Sequence, residues 1–215
     1  MSKIEIEKKN VEAAYKVADE NGKKLLDALF GKAAKANTPN LDDYKSIKTY
    51  EDACEALGLT PIYSDKEAKR AVCELIQDFA CEHWDYRQDM PKHIIALMKL
   101  ETIAKALWGR NWEPVPDAEG KKRFWYPWFA LWTKKEMEDL TPDQRGALLS
   151  ATAYSGAPAG FGFLHTYYRS SYANANFGFR LCQETEEKAR YFGTQFVELW
   201  AEYLAFNFTT GERLK

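Results

Sequence analysis

The sequence predicts an α+β fold: N-terminal helices, then a short irregular antiparallel sheet, then a closing C-terminal amphipathic helix. Three observations carry this. Apolar residues keep helical spacing in most segments before Trp108. After Trp108, Pro, Gly and aromatic residues mix in a way no regular helix tolerates. The stretch "TEEKARYFGTQFVELWAEYLAF" then restores a helical stripe through Ala189, Phe192, Phe196, Leu199, Trp200, Tyr203 and Leu204. Helices and strands segregated along a chain indicate α+β. With 215 residues and 46% hydrophobic content, the chain suits one medium domain, or one domain with an appended small one. The expected division is a helical segment and linker at 1–45 and an α+β domain at 46–215.

Each element has its own signal. "NVEAAYKVADENGKKLLDALFG" reads as two short helices or one interrupted helix, with Val11, Ala14, Tyr15 and Ala18 on one face. Leu25, Leu26, Leu29 and Phe30 form a second face, and Gly31 supplies a stop. "KAAKANTPNLDDYKS" has turn chemistry and reads as a linker. "TYEDACEALG" is a small helix capped by Thr49 and ended by Gly58. Ser64 and Glu67 form a capping box before an apolar run through Ala68, Val72, Leu75, Ile76 and Phe79. Pro91 opens and Gly109 closes "KHIIALMKLETIAKALWG", the expected central helix. Thr141 and Pro142 start one helical turn. "FGFLHTYYRSSY" and "FGFRLC" fit strands, while residues 156–160 and the Asn residues near 174–176 fit turns. The C-terminal stripe should pack on the sheet or on the 90–107 helix.

Charge is uneven. The chain carries −2 overall, yet residues 120–183 hold eight Lys/Arg against four Asp/Glu, and none of residues 144–183 is acidic. A locally positive zone suits an anionic partner. It is equally what an uneven surface without a role looks like. The opening "MSKIEIEKKN" is charged, so no secretory leader is expected, and no apolar run nears the ~20 residues of a membrane span. No membrane partner is expected. Location inside a host cell, or in a particle assembled there, is expected.

Chemistry-bearing patterns are sparse. The four cysteines, Cys54, Cys73, Cys81 and Cys182, form no CxxC pair and read as buried thiols of a reducing compartment. Cys73, Cys81 and His83 are close in sequence, but a helix sets 73 and 81 about 80° apart, a poor geometry for joint ligation. No metal and no cofactor are expected. Only His83, His93 and His165 supply imidazoles, and no GxSxG is present, so no catalytic residue is assigned and an enzyme is not expected. "GAPAGFG" lacks the Lys-Ser/Thr of a phosphate loop.

The strongest local feature is "KKRFWYPWFALW" at 121–132, six of whose twelve residues are aromatic. With "HTYYRSSY" it assembles an aromatic and basic zone. Arg123, Trp125, Trp128, His165, Tyr168, Arg169 and Tyr172 are the candidate ligand-binding residues. Rings beside guanidinium groups suit stacking on bases together with phosphate pairing. The competing reading is that helices cover both strand faces and the rings are all core.

Three stretches together carry a resemblance: "ENGKKLLDALFGK", "IKTYEDACEALG", and "RLCQETEEKARYFGTQFVELWAEYLAF" preceded by "MKLETIAKALWGRNWEPVPD" and "RFWYPWF". They resemble a widespread uncharacterised family of small proteins in phages and integrated mobile elements of gut Bacteroidetes. The resemblance covers most of the chain except 133–160, which reads as an insertion. It departs at Trp108-Gly-Arg-Asn-Trp112, and at Gln183, where Phe is usual. The family has no agreed activity, so the resemblance implies a phage or mobile-element origin and no catalytic residues. The resulting expectation is an accessory protein acting by binding. Its ligand would be an anionic small molecule or nucleotide held in an aromatic, basic cleft, in host takeover or counter-defence. The alternatives are a virion or assembly component that docks a phage or host protein, and an enzyme of unrecognised type.

Overall fold

A computed structural model describes residues 8–30, 39–64, 66–68, 91–170 and 179–214. The architecture is α+β, built on a four-stranded antiparallel sheet with helices packed on it. Helices α1 (Lys8–Val17) and α2 (Glu20–Phe30) lead. They remain two helices, and Asp19 accepts from the Gly22 N–H at 2.7 Å where the second begins. Val11 is buried, but α2 buries nothing, and Leu25 and Leu29 of the expected apolar face lie exposed.

Helix α3 (Tyr50–Leu57) forms where its caps dictate. Thr49 accepts from the Asp52 N–H while Asp52 accepts from the Thr49 N–H, and Gly58 takes the left-handed conformation at φ 68°. Ser64 and Glu67 make the expected capping box, with Glu67 accepting the Ser64 N–H at 2.8 Å. The helix read beyond it falls mostly on 69–90, outside the described residues, as do Cys73, Cys81 and His83. Helix α4 (Lys92–Trp108) is the central helix, with Leu100, Ile103 and Leu107 at 0–1% exposure.

The sheet holds β1 (Arg123–Thr133), β2 (Leu148–Ala153), β3 (Pro158–Ser170) and β4 (Phe208–Arg213), in the order β1-β3-β2-β4. Residues 133–160, which read as an insertion, contribute β2, a strand with a neighbour on each side. They also contribute α5 (Pro142–Gly146), capped reciprocally by Thr141 and Gln144. Two strands, β2 and β4, extend the sheet beyond the sequence expectation. The expected strand "FGFRLC" is corrected. Phe179–Leu181 form a 3₁₀ turn, because the Phe179 carbonyl accepts from both the N–H and the Sγ of Cys182 while its ring edges onto Phe124 at 5.1 Å.

The C-terminal helix lies between two layers. Phe192, Phe196 and Trp200 pack with Leu100, Ile103 and Leu107 of α4, and Val197 and Ala201 pack with Leu149, Phe161 and Phe163 of the sheet. Gly193 marks the closest approach, since a Cβ there would stand 2.6 Å from the Cβ of Pro127. The helix is broken rather than continuous, into α6 (Glu186–Gln195) and α7 (Val197–Leu204), with Phe196 between at φ −109°, ψ 30°. The carbonyls near the break find side-chain donors. Arg213 reaches Thr194 and Gln195 at 3.4 Å each, held by a two-point bond to Glu198, and Trp200 Nε1 donates to Phe192 at 3.2 Å. The expected C-terminal helix is present, and strand β4, which carries Arg213, follows it.

Candidate functional site

The aromatic and basic zone lies at one end of the β1–β3 pair. Antiparallel register sets Trp125 opposite Tyr168, Trp128 opposite His165, and Phe124 opposite Arg169, with a bulge between Trp128 and Phe129. Directly opposed residues on one face come into contact, and the rings do so. Trp125 meets Tyr168 at 5.0 Å, and Trp128 lies parallel to His165 at 6.0 Å. Strand alternation alone would put these pairs on opposite faces. They are joined through Tyr167, which stacks on Tyr168 at 5.6 Å and turns its edge to Trp128 at 6.5 Å. β2 pairs with β3 only up to Gly162, so it does not cover this end.

Two guanidinium groups sit on the ladder. Arg123 Cζ lies 4.4 Å from the centre of the Tyr168 ring, and Arg169 Cζ lies 4.3 Å from that of Tyr167. Neither makes an ion pair with a carboxylate among the described residues, and Arg169 donates only to the Tyr168 carbonyl, at 3.2 Å. Their neighbours differ. Lys121 pairs with Glu119, Arg180 with Glu101, and Arg190 with Asp143 and Glu186. Lys122 donates to the carbonyls of Glu113 and Val115. The corner is therefore positive, with its charge directed at rings rather than at acids.

Six of the seven expected site residues are placed here: Arg123, Trp125, Trp128, His165, Tyr168 and Arg169. Tyr172 lies outside the described residues. Tyr167, 43% exposed, was not among them, although it links the two ring pairs. Its signal was the Tyr-Tyr-Arg run itself. Other rings of the same stretch are core. Phe124 and Tyr126 pack with Cys182, Trp112 and Phe179, and Trp132 packs with Leu140 and Leu148.

Gln183 is a second feature the sequence did not assign. Its backbone exchanges two hydrogen bonds with Trp125, at 3.0 and 2.8 Å, which sets its side chain beside that indole. It is fully buried, yet neither atom of its amide has a partner among the described residues. Nearby, a recess of 460 Å³ is lined by Thr141, Asp143, Gln144, His165 and Arg190.

The arrangement suits stacking and anion pairing. Burial pushes the Cys182 thiol up to about 12 and raises that of Cys54, so both stay protonated and poorly nucleophilic near neutral pH. No helix among the described residues is long and apolar enough to cross a membrane. Comparison with protein-family models, curated proteins and solved structures finds no match for the chain.

Proposed function

We propose that this chain acts by binding, with the Arg123–Tyr168–Tyr167–Arg169 ladder as the contact surface for a nucleotide-like or other anionic ligand. One observation carries the reading: two guanidinium groups lie 4.4 and 4.3 Å from the centres of tyrosine rings at one strand end, and neither pairs with a carboxylate among the described residues. A bound base gains ring contact, and a phosphate gains a planar two-point donor. Stacking contributes about 1–3 kcal/mol per base, so two stacked bases and one Arg–phosphate pair reach micromolar affinity at the upper end of that range. On the resemblance drawn from the sequence, the setting is a phage or mobile element, and the role an accessory one in host takeover or counter-defence within the host cell.

The test is a titration of mononucleotides, cyclic dinucleotides and short single strands, followed by Trp fluorescence. For single strands, log K should fall against log salt with a slope of about −1.4 if two phosphates are paired. If nothing in that panel binds, the reading is wrong.

A specific observation favours a second reading, a virion or assembly component that docks another protein. Tyr154 and Phe206 are 76% and 88% exposed, and the Tyr154 N–H donates at 3.1 Å to the carbonyl of Asn207, the residue after Phe206. Mass spectrometry of purified particles tests it.

A further inference from the structure

The α3–α4 side of the molecule holds a recess of 680 Å³, separate from the ring ladder. That volume lies within the about 300–1,000 Å³ of small-molecule sites. Met98, Glu101, Thr102, Lys105 and Trp108 of α4 line it. At about 100° per residue they occupy one third of the helix circumference, opposite the buried Leu100, Ile103 and Leu107. Across from them stand Tyr50 and Cys54 of α3 and the segment Leu59–Ile62.

These walls are fixed before any ligand arrives. The Trp108 indole N–H donates to the Cys182 carbonyl at 2.7 Å, which orients the ring. The Ile62 N–H donates to the Tyr50 hydroxyl at 3.0 Å, which ties the Leu59–Ile62 segment to α3. Preorganised walls lower the ordering cost of binding. The polar lining is asymmetric. Glu67 is engaged by the Tyr63 and Ser64 N–H groups at 2.8 Å each, and Glu101 by Arg180 at 3.4 Å. The Thr102 hydroxyl donates to the Met98 carbonyl at 3.1 Å. Lys105 has no carboxylate partner among the described residues, so its ammonium is the uncommitted charge of the recess.

We infer that this recess binds a small planar apolar molecule carrying one anionic group. The apolar body lies between Trp108, Met98 and Ile62, and the anion meets Lys105. The carboxylates are already engaged, so a cationic ligand has no open partner there. A neutral ligand of the same shape keeps the apolar contacts and loses the ionic one.

Two fluorescent probes of one shape test this: anilinonaphthalene sulfonate, an anion, and phenyl naphthylamine, which is uncharged. The sulfonate should bind one per chain, about fivefold more tightly than the amine, the size expected of a partly exposed ion pair. Lys105→Gln should bring the sulfonate down to the amine and leave the amine unchanged. Thr102→Trp, which fills the recess, should abolish both at an unchanged melting midpoint. Leu59→Trp on the exposed lip gives the same readout should the helix variant melt early. Equal affinity of the two probes for the unaltered protein overturns the inference. So does probe binding that survives both filling substitutions, and so does no binding at all.

Discussion

At one end of the β1–β3 pair, Phe161 and Phe163 are 3% and 1% exposed, whereas at the other Tyr167 is 43% exposed. Both ends are rich in rings, and both belong to the same two strands. What differs is cover. Val197 and Ala201 of α7 lie on the first end, and Gly193 lets α6 approach Phe163 and Pro127. Past the bulge at Trp128 β2 no longer pairs with β3, and Trp112, Phe179 and Cys182 cover Phe124 and Tyr126 but leave Tyr167 open. Composition therefore sets how many rings a strand offers, and packing decides which become core.

That contrast can be broken at its covered end. Phe163→Ala should lower unfolding free energy in urea by about 3–5 kcal/mol, the cost of a buried aromatic plus its cavity. A loss below about 1 kcal/mol would remove Phe163 from the core.

Alkali should act on the other end, where Cys182 packs with Phe124 and Tyr126. Cys182 titrates at about 12 when folded, against about 8.5 for a free thiol. The folded state holds its proton more tightly than the unfolded state, so the stabilisation is fully present below about pH 8.5. It is lost progressively as pH rises to about 12. Cys182→Ala should flatten the decline in stability across that window. An equally steep decline in the variant would assign it to other groups.

A smaller change of opposite sign is expected at Gln183. A buried amide without partners costs about 1–3 kcal/mol, and an apolar side chain of similar length removes that cost. Gln183→Met should raise the urea midpoint. A lower midpoint would mean the amide has a bonding role. The smallest effect belongs to the open end, where Tyr167→Ala should cost about 1 kcal/mol or less.

Much of the fold was legible because its signals are local. Thr49 and Gly58 bound α3, Thr141 and Pro142 start α5, and Pro91 and Gly109 bound the broadly apolar α4. What was not legible depends on distant partners. The break at Phe196 is served by Arg213, from a strand beyond the helix. Strands β2 and β4 are six residues each, and β4, "FTTGER", lacks the apolar alternation that marks a strand. The turn at Phe179–Leu181 follows from ring packing on Phe124 rather than from its own propensity. The candidate site was half legible. Its residue types stand in "RFWYPW" and "HTYYR", but which rings stay open depends on Trp112, Phe179 and α6 covering the others.

The central claim is that the ring ladder, with two arginines that meet no carboxylate among the described residues, is a binding surface and not unfinished core. Parallel measurement of single-strand binding and thermal melting for Arg123→Ala/Arg169→Ala tests it most directly. The account predicts at least about a tenfold loss of affinity from two lost charge-assisted contacts, at a melting midpoint within about 2 °C of the unaltered protein. Unchanged affinity in the double variant, or a large drop in melting with no ligand bound by either form, would contradict it.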